Sequence, residues 1–117
     1  MSYVDGFVVA VPTAKREAYR KYAEEALPIF KEHGALRHVE CWGDDVPEGK
    51  VTSFPMAVKA KPDETVVFSW LEWPSKEARD AGMAKAMADP RMPQDMSSAP
   101  FDGHRMIYGG FTSIVDG

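Results

Sequence analysis

The chain has 117 residues, 44% of them hydrophobic and 27% charged, which is the usual balance for one soluble globular domain, 1–117. Its 18 Asp and Glu outnumber 14 Lys and Arg for a net charge of −4, and the basic residues are scattered among acids; nucleic acid is therefore excluded as a partner, because phosphate contacts need concentrated positive charge. One cysteine rules out an intramolecular disulfide or a cysteine-built metal cluster and suits a reducing cytoplasm, and no run approaches the roughly 20 apolar residues of a membrane-spanning helix.

The start, "MSYVDGFVVAVP", lacks a basic n-region and reads as a first strand, not a signal peptide. Residues 4–11 are apolar and β-branched on both parities, as in a strand covered on both faces. Pro12 stops the strand, and "TAKREAYRKYAEEALPIFKEH" follows with Tyr19, Tyr22, Ala23, Ala26, Leu27 and Phe30 at spacings of three and four, the stripe of an amphipathic helix. Thr13 is its expected cap and Gly34 its end, with a kink at Pro28.

"LRHVECW", 36–42, returns as a second strand, and a short edge strand near 50–53 is expected before a helical or irregular stretch around "SFPMAV". "TVVFSWLEW", 65–73, has the strongest β-propensity in the chain. After Pro74, Ser75 caps a second helix, "KEARDAGMAKAMA", with Ala78, Gly82, Met83, Ala86 and Met87 on one face. The segment 88–103 is long for a connection and carries Met92, Met96 and Phe101, so it is expected to pack down as a lid-like cover. "RMIYGGFTSIV", 105–115, closes the chain as a strand whose paired glycines, Gly109 and Gly110, suggest a bulge or a close backbone approach.

The order β, α, β, β, α, β is that of an α+β, ferredoxin-like antiparallel sheet with two helices on one face. Two helices cover one face only, yet 65–73 carries bulky apolar side chains on both parities, Val66, Phe68 and Trp70 against Val67, Leu71 and Trp73. The second face needs a cover, and a second copy, paired sheet to sheet, is the expected one.

The stretches "YVDGFVVAVPTAKREAYRKYA", "VECWGDDVPEGKVTSFPMAVKAKPDETVVFSW", "DPRM" and "PFDGHRMIYGGF" closely resemble the YbaA-like bacterial proteins of unknown function, over essentially the whole chain. That family is similar to the dimeric alpha-beta barrel superfamily, so the resemblance implies a ferredoxin-like subunit, a homodimer joined through its sheets, and space for a small ligand between sheet and helices. It implies no activity and carries no catalytic residues.

Within 36–42, alternation puts Leu36, His38, Glu40 and Trp42 on one face and Arg37, Val39 and Cys41 on the other. A Cys-His nucleophile pair inside this strand is thereby excluded, and Cys41 reads as a small buried hydrophobe. The acids of "GDDVPEG" read as a solvated turn that matches no calcium loop. His38 and Glu40, two apart on one face, can reach one ligand, or can form a polar dimer contact. Near the last strand, Arg105 and Tyr108 are further candidates, with an ion pair and a core position as their structural alternatives.

His33, His38 and His104 lie on different elements without metal-site spacing, so no metal is expected. No phosphate-binding glycine loop occurs and no cofactor is expected, although haem needs only a histidine and no local motif. Two function classes stay open: a small-molecule binding protein or cofactor-free enzyme, monooxygenase- or isomerase-like, acting on a small, partly aromatic metabolite, and a non-catalytic dimeric structural or interaction module. In the first, His38 is the base and Glu40 orients it; Trp42, Trp70 and Tyr108 wall the ligand site, and Arg105 stabilises an anionic intermediate.

Overall fold

In the computed structural model, which describes residues 2–93 and 99–117, the chain runs β1 (Tyr3–Pro12), α1 (Arg16–Glu32), β2 (Arg37–Trp42), a single-turn α2 (Phe54–Ala57), β3 (Glu64–Trp73), α3 (Lys76–Ala88) and β4 (Ile107–Thr112). The strands lie in the order β2-β3-β1-β4, and every pair is antiparallel. The two ten-residue strands, β1 and β3, form the centre, in register from Tyr3 opposite Trp73 to Pro12 opposite Glu64.

The register sorts the side chains by face. Val9, Val11 and Val67 pack against Tyr19 and Ala23 of α1, while Leu71 and Trp73 meet Phe30 of α1 and Met83 of α3. Both long helices therefore cover the same face of the sheet. On the other face, Val8, Ala10 and Val66 are capped by Val58 from the segment after α2, and the rest stays open.

Local signals explain most boundaries. Gly34, at φ +111°, takes the left-handed conformation that ends α1, and the Ser75 hydroxyl accepts from the Ala78 N–H to cap α3. Thr13 does not cap α1: it sits in a 3-10 turn, Thr13–Lys15, and its hydroxyl pairs with that of Thr65 at 2.7 Å. Residues 50–53 form no strand. Ser53 instead accepts from the Met56 N–H and starts α2, with Pro55 in its first turn. Leu27 is more exposed than the stripe predicts, because Ile29 takes the inward position.

β4 pairs with β1 without a bulge, and of the two glycines it is Gly110 that serves close approach. A Cβ on Gly110 would lie 2.3 Å from the Tyr3 hydroxyl and 2.1 Å from Arg79 Nη2. Gly82 has the same role in α3, where a Cβ would lie 2.4 Å from both the His33 carbonyl oxygen and the Trp73 ring. That small residue lets α3 close on the end of α1.

The start of β3 is tied to the approach to β4 by Arg105. Its guanidinium forks onto Glu64 at 2.8 and 2.7 Å, donates to Asp102 at 3.0 Å and to the Lys59 carbonyl at 2.9 Å. Hydrogen bonding from Arg105 holds the Glu64 and Asp102 carboxyls below their ordinary values. A depressed folded-state value stabilises above the unfolded carboxylate pKa, about 4.3 for Glu, and that stabilisation is lost as pH falls through the folded value. The urea midpoint is expected to drop between about pH 5 and 3. Glu64→Gln should lower stability at pH 7 by about 2 kcal/mol and flatten the acid drop; an unchanged acid limb would refute the assignment.

Candidate functional site

A cavity of about 620 Å³ lies between the helix-covered sheet face and the two helices. Alternation on β1, β2 and β3 builds its floor: Phe7 and Val9, then Ser69 and Leu71, then His38 and Glu40. Tyr19, Tyr22 and Phe30 of α1 form one wall, and Arg79, Met83 and Met87 of α3 form the other. Met92, Pro93, Phe101 and Met106 close it from the segment after α3. Phe101 packs edge-on against Tyr19 and Tyr22, at 5.8 and 5.6 Å between ring centres, and Met92 is buried. The lid-like cover expected over 88–103 thus has two of its apolar anchors against the helix-sheet seam; the third, Met96, lies outside the described residues.

Two polar groupings interrupt this mainly apolar lining. The first is a chain of three side chains. The Tyr19 hydroxyl donates to Glu40 Oε1 at 2.7 Å, and Glu40 Oε2 lies 2.6 Å from His38 Nε2. Burial first, and then the Glu40 charge, push the Tyr19 phenol well above its ordinary range, so it keeps its proton and donates. A carboxylate only accepts, so Nε2 carries a proton toward Glu40, and in the neutral ring Nδ1 is left with its lone pair. Nδ1 is buried and has no hydrogen-bond partner among the described residues. The His38 side chain is only 6% exposed, with the Phe30 ring edge-on to it at 5.6 Å.

The second grouping is closed on itself. Asp5 is 5% exposed; its carboxylate accepts from Trp73 Nε1 at 2.9 Å and from Arg79 Nε at 3.0 Å. Arg79 also donates to Asp80 at 2.8 Å and to the Tyr3 hydroxyl at 3.4 Å, with its charge over the Tyr3 ring at 4.9 Å. Asp5 was visible as the lone acid in an apolar strand, and Arg79 as a charge on the Gly82–Met83–Ala86 stripe. Tyr19 was read only as core. These three, together with the hydroxyls of Tyr22 and Ser69, are the polar cavity residues that sequence reasoning missed.

Of the sequence candidates, His38 and Glu40 share the cavity wall. Tyr108 stands at its edge, 74% exposed, stacked on Phe7 at 6.4 Å. The other three are placed elsewhere. Trp42 faces the helices but packs beside the Val9, Val11 and Val67 cluster, under Arg16. Trp70 is on the opposite sheet face, where it donates to Glu72, because its register partner is Gly6 and not an inward residue. Arg105 is taken up by Glu64 and Asp102. Cys41 is exposed, not buried, because it lies opposite Phe68 on the uncovered face. Among the described residues, no group of three or more His, Cys, Asp or Glu side chains is arranged to hold a metal ion, and no helix is long and apolar enough to cross a membrane.

A four-stranded antiparallel sheet, two helices on one face and a ligand-sized cavity between the layers define a ferredoxin-like α+β protein. More narrowly, the chain belongs to the protein family of unknown function DUF1428, which it matches over residues 2–103. It is 66% identical over 116 residues, 99% of each chain, to the uncharacterized protein YbaA of Escherichia coli K12 and likewise to that of Shigella flexneri. Solved structures share its fold at low identity. One is a dimeric ferredoxin-like protein from an uncultured marine organism, 11% identical over 98% of this chain and 97% of that one, with TM-score 0.64. Another is a NIPSNAP domain protein from Burkholderia xenovorans, 18% identical over 95% and 93%, with TM-score 0.60. A third is a variant of SnoaB, a cofactor-independent oxygenase from Streptomyces nogalater, 20% identical over 98% and 93%, with TM-score 0.52.

Proposed function

We propose that the chain binds a small, partly aromatic metabolite in the cavity, and that His38, oriented by Glu40, takes a proton from it without a cofactor. The observation that carries this reading is His38 Nδ1, a buried basic nitrogen with no partner among the described residues, in a cavity-lining ring whose other nitrogen is held by a carboxylate. An unmade hydrogen bond at a buried atom costs about 1–3 kcal/mol, and a bound ligand would relieve that cost. The same fold carries a cofactor-independent oxygenase, so chemistry without a cofactor has a precedent on it. The test is mass spectrometry of metabolites that survive native purification. Wild type should retain a compound that His38→Ala, still folded, loses. Retention indifferent to His38 would remove it as the ligand's partner, and a wild type that retains nothing would favour a dimeric module without chemistry here.

The working unit in this reading is a homodimer of the bacterial cytoplasm, joined through the open sheet face. There Phe68 is 44%, Ile107 45% and Phe111 61% exposed, around a groove that also includes Val4, Val8 and Trp70. A patch of this kind is the usual mark of an association surface. Light scattering at micromolar concentration should give twice the chain mass, and Phe68→Asp should return a monomer. A monomeric wild type would defeat the dimer.

A further inference from the structure

The polar atoms around the cavity are unequally satisfied, and the inequality specifies a ligand class. Both Glu40 oxygens are engaged, by Tyr19 and by His38. Both Asp5 oxygens are engaged, by Arg79 and Trp73. Arg79, the one Lys or Arg among the described residues of the lining, spends its three nitrogens on Asp5, Asp80 and Tyr3, and the two carboxylates offset its charge. The lining therefore presents no free cation among the described residues. An anionic ligand would lose its hydration in an apolar space close to the Glu40 carboxylate with no free cation to repay it, only neutral hydroxyls such as those of Ser69 and Tyr22. What the lining does offer, besides the Ser69, Tyr22 and Tyr108 hydroxyls, is one basic acceptor among the described residues, His38 Nδ1, among aromatic rings and methionine thioethers that fit flat apolar ligands.

Resting on the reading of this cavity as a ligand site, we infer that it selects an uncharged, planar, aromatic or conjugated compound bearing a hydroxyl, a phenol or an enol, which donates to His38 Nδ1. It discriminates against carboxylates and phosphates of the same shape. Nδ1 is itself shielded, so the hydroxyl reaches it through a small turn of the His38 or Phe30 ring, a rotamer change of the kind common on binding.

Three probes of one shape test this on the full chain at pH 7: 1-naphthol, naphthalene and 1-naphthoate, followed by amide chemical shifts of Ser69, Leu71 and Met83. The expected result is binding of 1-naphthol at least tenfold tighter than of either other probe. His38→Phe should remove the advantage of naphthol over naphthalene while naphthalene still binds. If that variant does not fold, the wild-type His38 ring ¹⁵N shifts supply the second measurement: Nδ1 should move with naphthol and stay put with naphthalene. Naphthoate binding as tightly as naphthol overturns the inference and leaves the ligand site standing. So does a hydroxyl advantage that is absent, that survives His38→Phe, or that leaves Nδ1 unmoved. If no probe perturbs the cavity amides, the ligand-site reading fails together with the inference.

Discussion

Trp73→Ala is expected to lower folding stability by about 3–5 kcal/mol, a large part of the roughly 5–15 kcal/mol that a small domain has. The indole is fully buried and packs with Ala35 and Leu71, against Phe30 and Met83, where it also fits the space that Gly82 leaves open. Its removal opens a cavity at the junction of sheet, α1 and α3. It also deprives the buried Asp5 carboxylate of one of its two donors. Trp73→Phe separates the two effects: it keeps most of the packing, so its loss, about 1–3 kcal/mol, reports mainly the unpaired Asp5 oxygen. Urea unfolding followed by circular dichroism measures both. A loss below about 1 kcal/mol for Trp73→Ala would contradict the packing account.

The same tryptophan illustrates how far the sequence could be read. β1, β3 and the two long helices were legible because their signals are local: β-branched runs ended by Pro12 and Pro74, a stripe at spacings of three and four, and Ser75 at a helix start. Residues 50–53 were misread because a serine that caps the next turn at Met56 resembles the polar end of a strand. On β3, both parities are bulky, so nothing local distinguishes Trp70 from Trp73. Register decides: Trp73 lies opposite Tyr3 on the helix side, and Trp70 opposite Gly6 on the open side. The same uncertainty of face misplaced Cys41.

The site divides along the same line. That His38 and Glu40 share a face follows from the two-residue period of a strand, and the side chains do meet at 2.6 Å. That this face is the one under the helices depends on β2 pairing with β3, Glu40 opposite Ser69, which only folding establishes. Arg105 shows the cost of reasoning without long-range partners: its charge is claimed by Glu64, far away in sequence, and so is not available to an intermediate. The cation nearest the ligand space, Arg79, is likewise neutralised, by Asp5.

Substitution of the three-residue chain should reduce turnover of the retained compound in a fixed order, and the order discriminates a catalytic from a structural role. His38→Ala removes the base itself and should slow turnover about 10²- to 10⁴-fold, the usual contribution of a positioned general base. Glu40→Gln keeps the shape but removes the charge that orients the imidazole and stabilises it once protonated, so a loss of roughly tenfold or more is expected. Tyr19→Phe deletes only the outer hydrogen bond, worth about 1 kcal/mol, and should cost less than about tenfold. A structural role predicts a different pattern. If the three side chains served only to hold α1 on β2, each variant would lose turnover only in proportion to the fraction of it that is unfolded, and His38→Ala and Glu40→Gln would be fully active under conditions where they stay folded. A direct readout accompanies the series. Imidazole ¹⁵N shifts of the wild type should place the proton on Nε2, facing Glu40, with Nδ1 bare, and Glu40→Gln should shift the tautomer balance toward Nδ1–H. A wild-type ring protonated on Nδ1 would leave no lone pair for a substrate proton and would remove His38 as the base.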